Sequence, residues 1–149
     1  MSGPPGPIVQ ECVEGYLFAA PPVELLLFRR PPTRGRFWVP ISGKVEPTDP
    51  DYEAALRREL AEETGLTRPR DVFPLDWEVP FSSESGATWR LHAFGVEVER
   101  SFRPRLSDEH DDAAWVRPDE AIARLHFEDN RAAVPRLLAR IRDRRSPNV

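Results

Sequence analysis

Seventeen prolines are scattered between short apolar runs in this chain of 149 residues. They act as loop punctuation, because a proline lacks the backbone N–H that a helix interior or a sheet ladder needs. What survives between them is mostly strand-sized: IVQECVEGYLF, VELLLFRR and FWVPIS read as extended pieces, with Pro21 and Pro22 as a turn and PPTRGR as a loop. The pattern changes at DYEAALRRELAEETG, where Asp51 is a plausible N-cap and Gly65 a helix stop. Beyond it, DVFPLDWEVPF and TWRLHAFGVEVE are strand candidates separated by SSESGA. The second strand puts Trp89, Leu91, Ala93 and Gly95 on one side and His92, Phe94, Val96 and Val98 on the other. RSFRPRLSDEHDD is irregular, DAAWVRP is a short strand, and Ala121 to Leu125 is helical after Pro118. Glu128 to Arg144 is a second long helical pattern with Val134, Leu137, Leu138 and Ile141 on one face. Pro135 is expected to kink it or to move its start. With no internal repeat, the order of elements predicts one α+β domain over residues 1–149, flexible over 1–7 and frayed over 145–149.

Leu, Ile, Val and Phe together number 37, or 25% of the chain. That is above the roughly 20% below which charged chains stay disordered. The net charge of −4 offers no bulk attraction to nucleic acid or anionic lipid. Twenty of the 21 basic residues are Arg; Lys44 is the one Lys. The lone Cys12 excludes an internal disulfide framework and a Cys-rich zinc site, and favours a reducing compartment. The opening MSGPPGPIVQECVEG lacks a basic segment followed by an apolar run, and no apolar stretch is long enough to span a bilayer. A cytoplasmic protein is expected.

The richest chemistry lies on the first helix. Glu59, Glu62 and Glu63 stand at i, i+3 and i+4 and share one arc of its surface. They could be a solvated acidic face, partly paired with Arg57 and Arg58. Alternatively a hard dication, which takes oxygen ligands, relieves their mutual repulsion. The surrounding sequence decides for the second. GKVEPTDPDYEAALRRELAEETGL, Gly43 to Leu66, resembles the signature of the Nudix hydrolase family, Gly-x5-Glu-x7-Arg-Glu-U-x-Glu-Glu-x-Gly-U with U aliphatic. Arg58, Glu59, Leu60, Glu62, Glu63, Gly65 and Leu66 fill its second half without a gap. The first Glu of the pattern falls on Asp49, and the interval to Arg58 is one residue too long. The extra residue is best absorbed in the loop PTDPD, with Asp49 or Asp51 bracing it in place of that Glu.

The resemblance implies a Nudix-type α/β/α sandwich with a mixed central sheet, a catalytic loop-helix and a C-terminal helix. It also implies hydrolysis of a nucleoside diphosphate linked to another group, with Mg²⁺, or Mn²⁺, as cofactor. Glu59 and Glu63 are then metal ligands, and Glu62 is a ligand or orients water. Arg58, grouped with the catalytic residues, salt-bridges the loop–helix unit. Glu109 in LSDEH is the candidate base, with a solvated loop carboxylate as its alternative; His110 beside it reads as a surface or packing residue. Arg29 and Arg30 at a strand end suit phosphate oxygens. Gly43 permits close backbone approach or is a plain turn residue; Lys44 follows it as a candidate substrate-binding residue. Trp38 or Phe37 could stack on a base or belong to the core. Asn130 could read a base or ribose edge or cap a helix.

The order of FWVPISGKVE, LSDEH, AAWVRPDEAIARL and EDNRAAVPRLL resembles the nucleoside triphosphate pyrophosphohydrolases acting on dATP or dihydroneopterin triphosphate. Dinucleoside polyphosphate hydrolases are the close alternative, and a catalytically silent nucleotide-binding module is the alternative of another class. Many relatives dimerise, so a homodimer is a further expectation.

Overall fold

The computed structural model describes residues 8–82 and 88–145. The expectations for residues 1–7, for all of SSESGA after Ser82 (83–87) and for the last four residues fall outside that range. The centre of the sheet is β1 (Ile8–Ala19) with its parallel neighbour β6 (Thr88–Glu97), registered from Ile8↔Thr88 to Phe18↔Glu97. The other edge of β1 is divided. Its middle, Cys12 to Gly15, pairs antiparallel with β4 (Ile41–Lys44), its last residues, Leu17 to Ala19, with β2 (Glu24–Arg29). β2 also pairs with β3 (Trp38–Val39) and β7 (Asp112–Val116), and β5 (Asp71–Ser82) lies antiparallel outside β6. The sheet is therefore mixed, and the splitting of β1 between two partners opens a seam beside β4. FWVPIS, read as one extended piece, is two strands, because Pro40 cannot donate to a ladder.

Helices cover both faces. On one, α1 (Tyr52–Thr64) packs Ala55, Leu56 and Leu60 against Val13, Leu17, Phe94 and Val96. On the other, α2 (Pro118–Arg124) and α3 (Glu128–Arg145) pack Ala121, Val134, Leu137 and Ile141 against Tyr16, Phe18, Phe73 and Ala93. This is the α/β/α arrangement expected. β6 alternates as its sequence does: Phe94 and Val96 face α1, while a side chain at Gly95 would strike Phe73 and Leu137. α3 neither stops nor restarts at Pro135. The helix runs through it with the residue exposed, on the side away from Val134 and Leu137, so the start is not displaced.

Candidate active site

The ends of α1 are set by the residues that sequence reasoning chose. Asp51 accepts a 2.7 Å bond from the Ala54 N–H, and Gly65, at φ +78°, donates to the Ala61 carbonyl. Asp51 is thus a cap, and the bracing role falls to Asp49. Its carboxylate receives Arg58 Nε at 3.0 Å and Nη2 at 2.9 Å, and the Glu46 N–H at 2.7 Å. These contacts hold it below the usual carboxylate range, Arg58 first and the Glu46 amide second. Arg58 spends its remaining donors on the Lys44 carbonyl at 3.0 Å and Glu59 Oε1 at 2.8 Å. It ties loop, strand β4 and helix into one unit and does not face the cleft, so the geometry makes it a brace.

With α1 docked, the helix period carries Glu63 inward beside Leu56 and Leu60. Glu63 is only 6% exposed, which removes the solvated-face reading for this residue. Glu59 lies against β4 at the one place where the strand has no side chain. A Cβ on Gly43 would sit 2.1 Å from Glu59 Cδ, so this glycine is required for close approach. Glu62 points outward, with its side chain 59% exposed and Arg58 Nη1 at 3.4 Å; it does not line the cleft.

The cleft, about 490 Å³, is lined by Glu59 and Glu63 of α1, Ser42 to Lys44 of β4, Arg30 and Arg34 after β2, and Glu109 from the loop before β7. Glu109 accepts from Arg34 Nη1 at 2.9 Å, and His110 behind it is buried against Phe28. Burial holds that imidazole down to about 4, so it packs as a neutral ring. With Glu46 at its edge, four carboxylates thus face three cations, Arg30, Arg34 and Lys44. Burial, followed by the charges of Glu109 and Glu59, pushes the Glu63 carboxyl up to about 8, and its Oε2 has no hydrogen-bond partner among the described residues. Burial also raises Glu59, against the pull of Arg58. Lys44 Nζ stands 4.8 Å from the Trp89 ring centre.

A dication suits this set: hard oxygen donors, one of them buried and unpartnered, crowded beyond what the local cations neutralise. No three acid, His or Cys side chains among the described residues already stand in coordination geometry. The contacts say why: Glu59 is turned to Arg58, and Glu109 to Arg34.

Other expected residues lie elsewhere. Arg29 pairs with Asp111 at 2.9 Å and does not reach the cleft, because adjacent strand residues point to opposite faces and Arg30 takes the inward one. Trp38 is half-buried with Arg29 and Arg124 over its ring, and Phe37 stacks on His126 at 3.7 Å. Neither aromatic lines the cleft. Asn130 is buried in α3, where Nδ2 donates to Tyr16 Oη at 3.1 Å and Glu14 Oε2 at 3.3 Å. Sequence reasoning missed Arg34, which sits in a loop read only as PPTRGR, and also Glu14 and Phe127. The alternation of β1, with polar Glu14 in an apolar strand, was the available signal for Glu14.

A family model described as "NUDIX domain" matches residues 17–137. The chain belongs to the Nudix family. It is 37% identical over 122 residues to an octanoyltransferase of Myxococcus xanthus, an alignment covering 80% of this chain and 33% of that protein. The chain therefore spans about a third of that relative's length. It is 30% identical over 103 residues to the asymmetrical bis(5'-nucleosyl)-tetraphosphatase of Rattus norvegicus, covering 65% of this chain and 67% of that one. Among solved structures, a C. elegans Ap4A hydrolase binary complex superposes with a TM-score of 0.76 at 19% identity, covering 91% of this chain and 99% of the other. The E. coli dihydroneopterin triphosphate pyrophosphohydrolase also gives 0.76, at 16% identity and 90% and 99% coverage. At such identities the two structures share the fold. No described helix is long and apolar enough to cross a membrane.

Proposed function

We propose that this chain is a divalent-cation-dependent pyrophosphohydrolase that cleaves a phosphoanhydride bond in nucleoside triphosphate-like substrates, releasing a monophosphate and pyrophosphate. The observation that carries it is the convergence of Glu59, Glu63 and Glu109 in one cleft with Arg30, Arg34 and Lys44, with a buried Glu63 oxygen left unpartnered. Acids alone would repel a polyphosphate. Glu59 and Glu63 would hold Mg²⁺ or Mn²⁺, which supplies charge neutralisation for the phosphates and for the reacting oxygens; Glu62, turned outward to Arg58, stays outside the cleft.

The remaining work falls to the chain. Arg30 and Arg34 offer planar N–H pairs to non-bridging oxygens, and Lys44 adds a point charge. Gly43 keeps β4 low enough for Glu59 to lie across it. Glu109 is more exposed than Glu59 and Glu63 and can accept a proton from water. The water oxygen forms the new bond to phosphorus, the bridging P–O bond breaks, and the pyrophosphate leaves with the electron pair. A phosphate drawn to Arg34 also competes for the guanidinium that now holds Glu109.

The test is a panel of nucleoside triphosphates, dihydroneopterin triphosphate, dinucleoside polyphosphates and sugar nucleotides, with Mg²⁺, Mn²⁺ or chelator, read by product mass. Monophosphate plus pyrophosphate is expected, and silence with chelator. Asymmetric cleavage of a dinucleoside tetraphosphate is the second reading, which the 30% identity to the rat protein of that name favours. No product from any phosphoanhydride would leave a silent binding module.

A further inference from the structure

Two arginines line the cleft, and they stand in different states. Arg30 has no acid within salt-bridge distance among the described residues. Its guanidinium lies 5.4 Å from the Phe127 ring centre, beside a second pocket of about 370 Å³ whose lining includes Glu14 and Phe127. Arg34 is engaged. Its Nη1 donates to Glu109 Oε2 at 2.9 Å, the one partner that the Glu109 carboxylate has among the described residues. The proton acceptor of the cleft is thus held by one of the two guanidinium groups that would receive a phosphate.

The backbone on both sides of that pair is pinned. The Glu109 N–H donates to Ser107 Oγ at 3.2 Å and the His110 N–H to the Ser107 carbonyl at 3.3 Å. His110 is buried against Phe28, and the Asp111 N–H donates to the Arg29 carbonyl at 2.9 Å. Across the cleft, the Arg34 and Arg36 N–H groups both donate to the Pro31 carbonyl, at 2.8 and 3.3 Å. The Arg30 N–H closes that loop on the Phe37 carbonyl at 2.8 Å, and Phe37 is stacked on His126. Freedom is left to the two side chains, 49% and 51% exposed. A half-exposed ion pair holds weakly, so a stronger partner breaks it. Glu109 takes a single N–H, through Nη1; a phosphate takes two in parallel and brings more negative charge.

We infer that Arg34 is a positioning residue for Glu109, holding the carboxylate until a substrate phosphate takes the guanidinium. One ion pair breaks as another forms. Glu109 is then free to accept a proton from water only once a phosphate chain has reached Arg34. Arg30 has no ion pair to give up, so it receives a phosphate first. A chain that stops at Arg30 leaves Glu109 held, which ties turnover to the reach of the phosphate chain. The inference rests on the phosphohydrolase reading of this cleft and adds how the proton acceptor is released.

The test is a double-mutant cycle on the full chain, read by calorimetry with Mg²⁺ and α,β-methylene-ATP, so that binding is measured apart from turnover. Glu109→Gln removes both a negative charge and the competitor for Arg34. It should tighten binding about threefold more in the presence of Arg34 than in the Arg34→Gln background, where the charge alone is lost. Equal tightening in both backgrounds would mean that nothing is exchanged. Weaker binding by Glu109→Gln alone would mean that Glu109 steadies Arg34 for the phosphate. Either result overturns the inference, as does a wild type that does not bind the analogue. In turnover of a nucleoside triphosphate, the loss in Arg34→Gln should fall more on KM than on kcat, because its Glu109 is free from the start. A loss confined to kcat also overturns the inference. Failure of the hydrolase reading shows differently, as the calorimetric coupling without product from any phosphoanhydride.

Discussion

Glu11 and Glu63 are two partly or wholly buried glutamates that face opposite fates. Glu11, on β1, accepts Arg90 through Nε at 2.7 Å and Nη2 at 2.8 Å, lies 3.1 Å from His92 Nε2, and has the Tyr52 hydroxyl 3.3 Å away. The Arg90 hydrogen bonds hold its carboxyl down to about 2, with His92 helping against burial. Glu63 is buried with Glu109, Glu59 and Glu62 for neighbours and is pushed up to about 8. The protein supplies a cation to one carboxylate and withholds it from the other. An acid whose counter-charge comes from the fold is part of the scaffold; one left short must find it in solution, and that makes the second a site.

The largest effect that bears on this contrast is expected from Glu63→Gln. Turnover should fall on the order of 10³-fold while stability at neutral pH holds, since the amide matches in shape a carboxyl that burial already keeps mostly protonated there. Wild-type rates would erase the distinction. Glu109→Ala should lower kcat by on the order of 10²–10⁴ through loss of the proton acceptor, read from the pH profile as well as the rate. Next comes Gly43→Ala. Its Cβ would displace the Glu59 carboxylate, so metal affinity measured by calorimetry should drop about ten- to a hundredfold, while a variant binding metal normally would show that Glu59 has slack. Glu11→Gln should do the opposite, costing on the order of 1–2 kcal/mol of stability and changing kcat less than about threefold.

The smallest and most diagnostic effect is the pH dependence of melting in chelator. Glu11 is lowered from about 4.5, so its contribution is complete above that value and is lost as pH falls toward 2. Glu63 is raised, so the folded state holds its proton more tightly, and stability declines as pH climbs from about 4.5 to 8. Melting temperature should therefore sag on both flanks. Mg²⁺ should lift only the upper flank, and Glu63→Gln should flatten it.

Much of the site was legible because local patterns specify local structure. The Asp51 cap, the Gly65 stop and the spacing of Glu59, Glu62 and Glu63 depend on backbone geometry within one helix. The requirement for Gly43 was visible as a motif, yet whether it served a turn or a close approach depended on a residue sixteen positions away. Arg29 and Arg30 were indistinguishable as letters at a strand end. Strand parity then sent one to Asp111 and the other to the cleft. Trp38, a promising stacking ring, is already occupied by Arg29 and Arg124, while the less conspicuous Phe127 borders the pocket.

Sequence alone determined the order of elements, the capped helix and the acidic triplet, because these follow from dihedral preference, periodicity and spacing over a few residues. Tertiary structure alone decided which acid is neutralised and which is left wanting, and which of two adjacent arginines meets the cleft. It also brought Arg34 and Glu109 together across 75 positions. Charge interactions and desolvation depend on distance through space, and only folding turns positions along a chain into those distances.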